Sequence, residues 1–440
     1  MPTLKNLNDL RTVLGKLNAE RPAAMAHRPD QTRYEERGGD FFRRLDLEVV
    51  SRQGKARILV TGQIGVGKSS ELWHYFHKTI QTGRQVPFIF CDLEKEEHPE
   101  RCGATGVLLT IFRDCWGATK AMQHINRAGL ATLRDDMLIA LVDWLKGKYS
   151  DDRMTVIFEF GGMGFPVRLA SHNSDAGLAL ILGKAAQHEA VSEPSERFGI
   201  TPDSLLNLLN RLLGLISQSM WNCPPILIID HVDKIRDPNA AEDVLLKAFP
   251  HWNRIAASII MTAPFEYTLG ELRNSVESKW GRPLMLYPVE MPKQSEGEVP
   301  DIYRRIVQSC GLGPMIDAES VRALAHYSGG ILRLFVQFLI EACKEAHFSR
   351  HDGIKIADAE AVIHNAERGY QDYTANDLAL LDEIDSQNTG LREASTLLRS
   401  PIGLLICDPK SSDKQLSVHP LARSALERFR MKKTHHSVAA

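Results

Sequence analysis

Residues 62–69 read Gly62-Gln63-Ile64-Gly65-Val66-Gly67-Lys68-Ser69, which fits the pattern GxxxxGK[ST]. The run before it, ARILVTG, is short and continuously apolar, as in a strand buried on both faces of a parallel sheet. The run after it, SSELWHYFHKTIQTG, reads as a helix that ends at Gly83. The octapeptide therefore joins a strand to a helix. Its glycines let the backbone wrap an anion with N–H groups turned inward, and the start of the helix adds a partial positive charge. Lys68 supplies a cation for β- and γ-phosphates, and the Ser69 hydroxyl suits Mg²⁺. Gly62 through Ser69, with Ser70 beside them, are the candidate nucleotide-binding residues. A ligand-free glycine-rich turn is the plain alternative, and the strand–helix context disfavours it.

Working outward, VPFIFCDLE is a second strand and closes a βαβ unit. The most hydrophobic strand, Ile226-Leu227-Ile228-Ile229-Asp230, ends in a carboxylate where a doubly wound sheet places its ligand. Asp230 is thus a candidate Mg²⁺ ligand alongside Ser69. ASIIMTA and PLMLYPVE bring the predicted parallel strands to five, alternating with helices. TVIFEF and the following GGMGFP, read as a hairpin turn, belong to an insertion at about 150–200.

The stretches TGQIGVGKSSEL, CDLEKEE and LIIDHVDKI resemble the AAA+ and STAND class of P-loop ATPases, bacterial STAND-type members above all. The resemblance spans roughly residues 34–425. It implies ATP and Mg²⁺ as cofactors, hydrolysis to ADP and phosphate, and a switch between ADP-closed and ATP-open states. Several such bacterial ATPases are associated with anti-phage defence. The sequence carries no recognisable nuclease, protease or TIR-like effector, so if it signals, the expected effector is another polypeptide, with a homo-oligomer as an open option. Many AAA+ enzymes carry Glu directly after the Mg²⁺ Asp, whereas His231 stands there in this chain. An imidazole can accept a proton but lacks a carboxylate's charge, so slow turnover is expected. The resemblance implies that Asp233 orients the attacking water instead, and the plain alternative for Asp233 is a helix cap over Lys234 to Arg236. The resemblance further suggests Thr262 as a polar sensor, or simply a capped strand end. Arg282 or Arg273 would be an arginine finger, or a solvated side chain. Arg333 in Ser328-Gly329-Gly330-Ile331-Leu332-Arg333 corresponds to a phosphate sensor from the lid, although Leu332 replaces the usual Pro. His419, in His419-Pro420-Leu421, matches the winged-helix histidine that contacts ADP.

The expected fold class is α/β: a P-loop NTPase parallel sheet with a helical lid and a C-terminal winged-helix-like module. The expected divisions are an N-terminal helix and linker (1–33), the ATPase domain (34–290), the lid (291–365) and the C-terminal module with its basic tail (366–440). A chain of 440 residues suits about three domains. Apolar residues at 43 % and charged residues at 25 % exclude a disordered, collagenous or small disulfide-framed chain. A formal charge of −2 gives no whole-protein basic field for nucleic acid. DNA as a partner of the winged helix stays an alternative, as does a nucleotide-binding scaffold without hydrolysis. No apolar run approaches the ~18 residues of a membrane span, and the N-terminus lacks a signal-peptide core. The seven scattered cysteines, without a CxxC, read as buried thiols of a reducing compartment. A cytoplasmic protein without a membrane partner is therefore expected. The basic tail RFRMKKTHH reads as a solvated end.

Overall fold

The computed structural model describes residues 3–17, 40–82, 86–95, 102–146, 155–160, 163–168, 202–268, 272–291, 298–369, 373–387, 404–406 and 416–438. Its centre is a five-stranded sheet built from β1 (Arg57–Thr61), β2 (Phe88–Asp92), β5 (Ile226–Asp230), β6 (Ser258–Ala263) and β7 (Leu284–Met285), in the order β2-β5-β6-β1-β7. Every pairing is parallel. The runs that read as continuously apolar, β1, β5 and β6, are buried at every residue.

Their side chains alternate between two cores, as the two-residue strand period requires. Leu59, Leu227, Ile229, Ile259 and Met261 face one side, under helices Ala104–Ala118 and Pro202–Ser219. Ile58, Val60, Ile226, Ile228 and Ile260 face the other, under helices Phe41–Ser51 and Lys68–Gln81. Each such side chain contributes about 1.5–3 kcal/mol by leaving water, so β1 and the loop that follows it are anchored from both faces.

Two expected elements are shorter than their sequence signals. PLMLYPVE forms a strand only at Leu284–Met285, because Pro283 and Pro288 offer no N–H to a ladder. In the insertion, β3 (Thr155–Phe160) and β4 (Met163–Arg168) form an antiparallel hairpin with Phe160 opposite Met163. Most of the predicted turn GGMGFP is thus strand, from Met163 onward. Gly161, Gly162 and the remainder of the insertion up to residue 201 lie outside the described residues, as do the linker at 21–32, Gly83 and the polar turn at 407–415.

Helices Asp301–Ser309, Ala318–Tyr327, Leu332–Phe348 and Ile356–Gly369 share a third core, separate from the two on the sheet. The N-terminal helix Leu7–Lys16 belongs to it: Leu4, Leu10, Val13 and Leu17 are buried with Tyr303, Phe335 and Leu339. The helical spacing of those leucines therefore marks a face that packs on the lid.

Helix Ala375–Gln387, β8 (Leu404–Ile406), β9 (Leu416–Val418) and helix Pro420–Val438 make the winged-helix-like module. Its core of Leu381, Ile384, Leu404, Leu416, Val418, Ala422 and Leu426 includes Phe265, from just beyond β6, and is flanked by Met285 and Tyr287. The module is thereby seated on the sheet domain.

Candidate functional site

Parallel strands bring all their C-terminal ends to one edge of the sheet, the usual ligand edge of such folds. Asp92 ends β2 and Asp230 ends β5, and the two are register partners. Gly62 follows β1 directly. β6 runs between β1 and β5 and carries Thr262 near its end. The phosphate-loop strand and the Asp230 strand are therefore one strand apart, which leaves space between them at this edge.

In the 62–69 loop, Gly62, Gly65 and Gly67 have φ of +151°, +86° and +103°, which L side chains rarely adopt. A Cβ on Gly67 would meet nothing within 4 Å, so the loop encloses an open cradle at the start of helix Lys68–Gln81. That cradle fits a phosphate group. Val66 is buried beneath the loop, while Ile64 is exposed and Ser70 half-buried.

The Lys68 ammonium is buried. It donates to the Gly62 and Gln63 carbonyls at 2.8 and 3.2 Å and pairs with Asp233 Oδ2 at 2.9 Å. Burial pushes the Asp233 carboxyl up, but the charge and hydrogen bond of Lys68 outweigh it and hold the group below its ordinary range. The helix that follows, Pro238–Glu242, has its own cap in Asp237, whose carboxylate accepts the Asn239 N–H at 2.9 Å. Asp233 lies inside the short turn Val232–Lys234, whose cap position is His231.

Asp230 is buried, and that burial raises its pKa against the opposing pull of His231 and a hydrogen bond with Ser69. A hydroxyl bonded to a buried carboxylate beside a phosphate cradle is a donor set that fits Mg²⁺. Ser69 and Asp230 are the residues that would hold the ion, neutralising phosphate charge.

His231 stands in the left-handed region at φ +68°. Its N–H donates to Asp230 Oδ1 at 2.8 Å, and its ring Nδ1 lies 2.6 Å from Asp92 Oδ1. Nε2 faces Glu94 Oε2 at 3.5 Å and Asp230 Oδ2 at 3.8 Å. Burial disfavours the imidazolium, yet the Asp92 hydrogen bond and the Asp230 charge prevail and raise its pKa. Sequence reading did not single out Asp92 and Glu94. The available signal was a second acidic strand end, CDLE, at the same sheet edge.

Thr262 is fully buried, and its hydroxyl accepts the Val232 N–H at 3.1 Å, tying β6 to the turn that carries Asp233. Arg333 opens helix Leu332–Phe348. Its N–H donates to the Gly65 carbonyl at 3.1 Å, and a Cβ on Gly65 would lie 3.1 Å from Arg333 Cβ. The lid segment thus touches the phosphate loop itself. Arg282 is exposed, and Arg273 pairs with Glu277 on its own helix at 2.8 Å.

His419 is fully buried. Its Nδ1 accepts the Leu421 N–H, so Nε2 carries the hydrogen and donates to the Ser328 carbonyl, both at 3.3 Å. Burial pushes its pKa down to about 3, so the ring is neutral and packs on the Ser328-Gly329 turn. Gln63 adds a direct link: its Nε2 donates to the Leu404 carbonyl of β8 at 2.5 Å.

No family model matches the chain, and no curated protein does. Among solved structures it is similar to a Walker-type ATPase of Pyrococcus abyssi, at 12 % identity over 96 % of this chain and 99 % of that one, with a TM-score of 0.44. It is also similar to Cdc6p of Pyrobaculum aerophilum, at 10 % identity over 94 % and 98 % of the two chains, with a TM-score of 0.42. A third is the ORC2 protein of Aeropyrum pernix in its ADPNP–ADP complexes, at 11 % identity over 90 % and 93 %, with a TM-score of 0.41.

Proposed function

We propose that this chain is an ATP- and Mg²⁺-binding P-loop ATPase that hydrolyses slowly and works as a nucleotide-driven switch. One observation carries the reading. The phosphate loop is gripped from two sides, by Arg333 N–H on the Gly65 carbonyl and by the Gln63 amide on the Leu404 carbonyl of the C-terminal module. Any phosphate that reshapes the loop acts on both contacts, so nucleotide state and domain arrangement are coupled. Slow turnover follows from His231 in the usual Glu position and from the commitment of Asp233 to Lys68. Signalling to a protein effector, in a setting such as phage defence, follows from the resemblance noted above. The alternative of a DNA-reading winged helix gains little support from the terminal helix: Arg423, Arg430 and Lys433 lie against Asp382 and Asp385.

Two substitutions test the coupling. Arg333→Ala keeps the main-chain N–H on Gly65 and removes the guanidinium, the proposed contact to the γ-phosphate; only a contact that differs between two states can shift their equilibrium, so the variant should weaken ATP binding ten- to hundredfold, about 1.5–3 kcal/mol for one charge-assisted contact. ADP binding should stay nearly intact. Equal loss for both nucleotides, measured by calorimetry, places Arg333 on shared phosphates and removes it as the discriminating group. Gln63→Ala removes one buried hydrogen bond worth about 1 kcal/mol. It should raise the rate of limited proteolysis of the nucleotide-free C-terminal module severalfold. An unchanged cleavage rate argues against the latch.

A further inference from the structure

Two histidines lie at the junction of the lid and the C-terminal module. His419 stands directly before helix Pro420–Val438, and His326 lies in the last turn of helix Ala318–Tyr327. Both nitrogens of the His419 ring are committed to main chain, with opposite demands. Nδ1 must be a lone pair for the Leu421 N–H of its own module, and Nε2 must carry a hydrogen for the Ser328 carbonyl of the lid. A Cβ on Gly329 would stand 2.6 Å from Nε2, so the ring lies directly on the lid turn. Only the neutral ring fits this seat. A second proton, on Nδ1, would face the Leu421 N–H and put a charge on a side chain that is 0 % exposed.

The surroundings act in the same direction. Burial disfavours the charged form of both rings. The charge of His326 further disfavours a proton on His419, and that of Arg423, from helix Pro420–Val438, disfavours one on His326. The acidic groups at this junction are Asp385, which takes Arg423 at 3.8 Å and Arg430 at 3.0 Å, and Glu367 and Glu427, whose charges act on Tyr327. Among the described residues none of these carboxylates bonds either imidazole.

We propose that this junction is a proton-sensitive latch: protonation of His419, with His326 beside it, releases the C-terminal module from the lid as pH falls below neutral. The sign follows from linkage. With the module docked, His419 titrates at about 3; freed into water it returns to about 6.5. Docking is therefore at full strength above about pH 6.5 and weakens about tenfold per pH unit below it, down to about pH 3. At about pH 5 the loss from His419 alone is roughly thirtyfold. His326, pushed down by burial and by Arg423, adds to it.

The nucleotide-free full-length chain is digested briefly at fixed pH values from about 7.5 to about 5, alongside His419→Gln, which keeps a donor and an acceptor but does not titrate. The rate at which the C-terminal module is cleaved away is read as the wild-type to variant ratio at each pH, so the protease's own pH dependence cancels. This ratio follows the released fraction when reclosing outpaces cleavage. It should be level above about pH 6.5 and rise roughly thirtyfold by about pH 5. His326→Gln, at a half-buried position, should show a shallower rise than the wild type, and that comparison decides the matter where His419→Gln docks poorly at neutral pH. All six tryptophans lie between Trp73 and Trp280, so steady tryptophan emission separates release of the module from unfolding of the sheet domain. A ratio that stays level to about pH 5 overturns the proposal and leaves His419 a purely structural contact. A rise accompanied by a tryptophan shift, or one that is the same in His326→Gln and the wild type, overturns it as well, since acid then acts elsewhere. No nucleotide enters the test, so its failure leaves the ATPase reading standing.

Discussion

Lys68→Ala should weaken ATP binding by at least about a hundredfold, equivalent to about 2.7 kcal/mol. Two effects act in the same direction. The ammonium that neutralises the phosphates is lost, and Asp233, its partner at 2.9 Å, is left as an uncompensated buried anion facing the cradle. Removing one member of a buried pair costs about 3–5 kcal/mol in general, so the variant should also unfold more easily. The double substitution Lys68→Ala with Asp233→Asn separates the two effects. It should recover much of the stability, because no unpaired carboxylate remains, yet still bind ATP poorly. Asp233→Asn alone keeps the cation and should retain Mg·ATP binding. Calorimetry and denaturant melts on the three variants check this. Parental ATP affinity in Lys68→Ala would remove the phosphate-loop assignment.

Gly330→Ala should cost about 2–4 kcal/mol, at the upper end for single substitutions. Gly330 has φ +83°, and a Cβ there would stand 2.1 Å from the Val289 carbonyl oxygen and 2.9 Å from its nitrogen. Both are backbone atoms, so no side chain can rotate away. The same two residues are joined by the Val289 N–H to Gly330 carbonyl bond at 2.9 Å. The turn and the segment after β7 must therefore move together, carrying Ile331 and Arg333 off the phosphate loop. Loss of stability in denaturant should come with the loss of the ATP-over-ADP preference expected of Arg333→Ala. Gly214→Ala provides the contrast. That glycine lies inside helix Pro202–Ser219 with nothing within 4 Å of an added Cβ, so alanine should stabilise by about 0.5–1 kcal/mol. If Gly330→Ala were as benign as Gly214→Ala, the lid contact would not depend on this turn.

The features that were legible in the sequence are those in which neighbours along the chain are also the chemical unit. The octapeptide at 62–69 is one contiguous cradle between a strand and a helix, and its glycines announce the unusual backbone directly. The runs ILIID and ASIIMTA are buried on both faces, so their lack of polar alternation is itself the signal. The N-terminal leucines Leu4, Leu10 and Leu17 recur at helical spacing, which reveals a helix face but not that it packs on the lid. The strand β7 is shorter than its apolar run, because its flanking prolines outweigh hydrophobicity, and β4 begins inside the stretch read as a turn.

The pairings that make the site were decided by tertiary structure. Whether Asp233 caps a helix or neutralises Lys68 depends on β6 separating β1 from β5 and on where the turn after β5 then falls. Asp92 and Glu94 meet His231 only because β2 and β5 are parallel neighbours whose last residues are in register. Gln63 reaches Leu404 across 341 residues of chain, and Gly65 meets Arg333 through the docking of a separate helical unit. Local sequence fixes backbone conformation and which face is apolar, because those preferences act over a few residues. Strand order and domain docking arise from burying all the apolar faces at once, and they determine which charged groups at the sheet edge become partners.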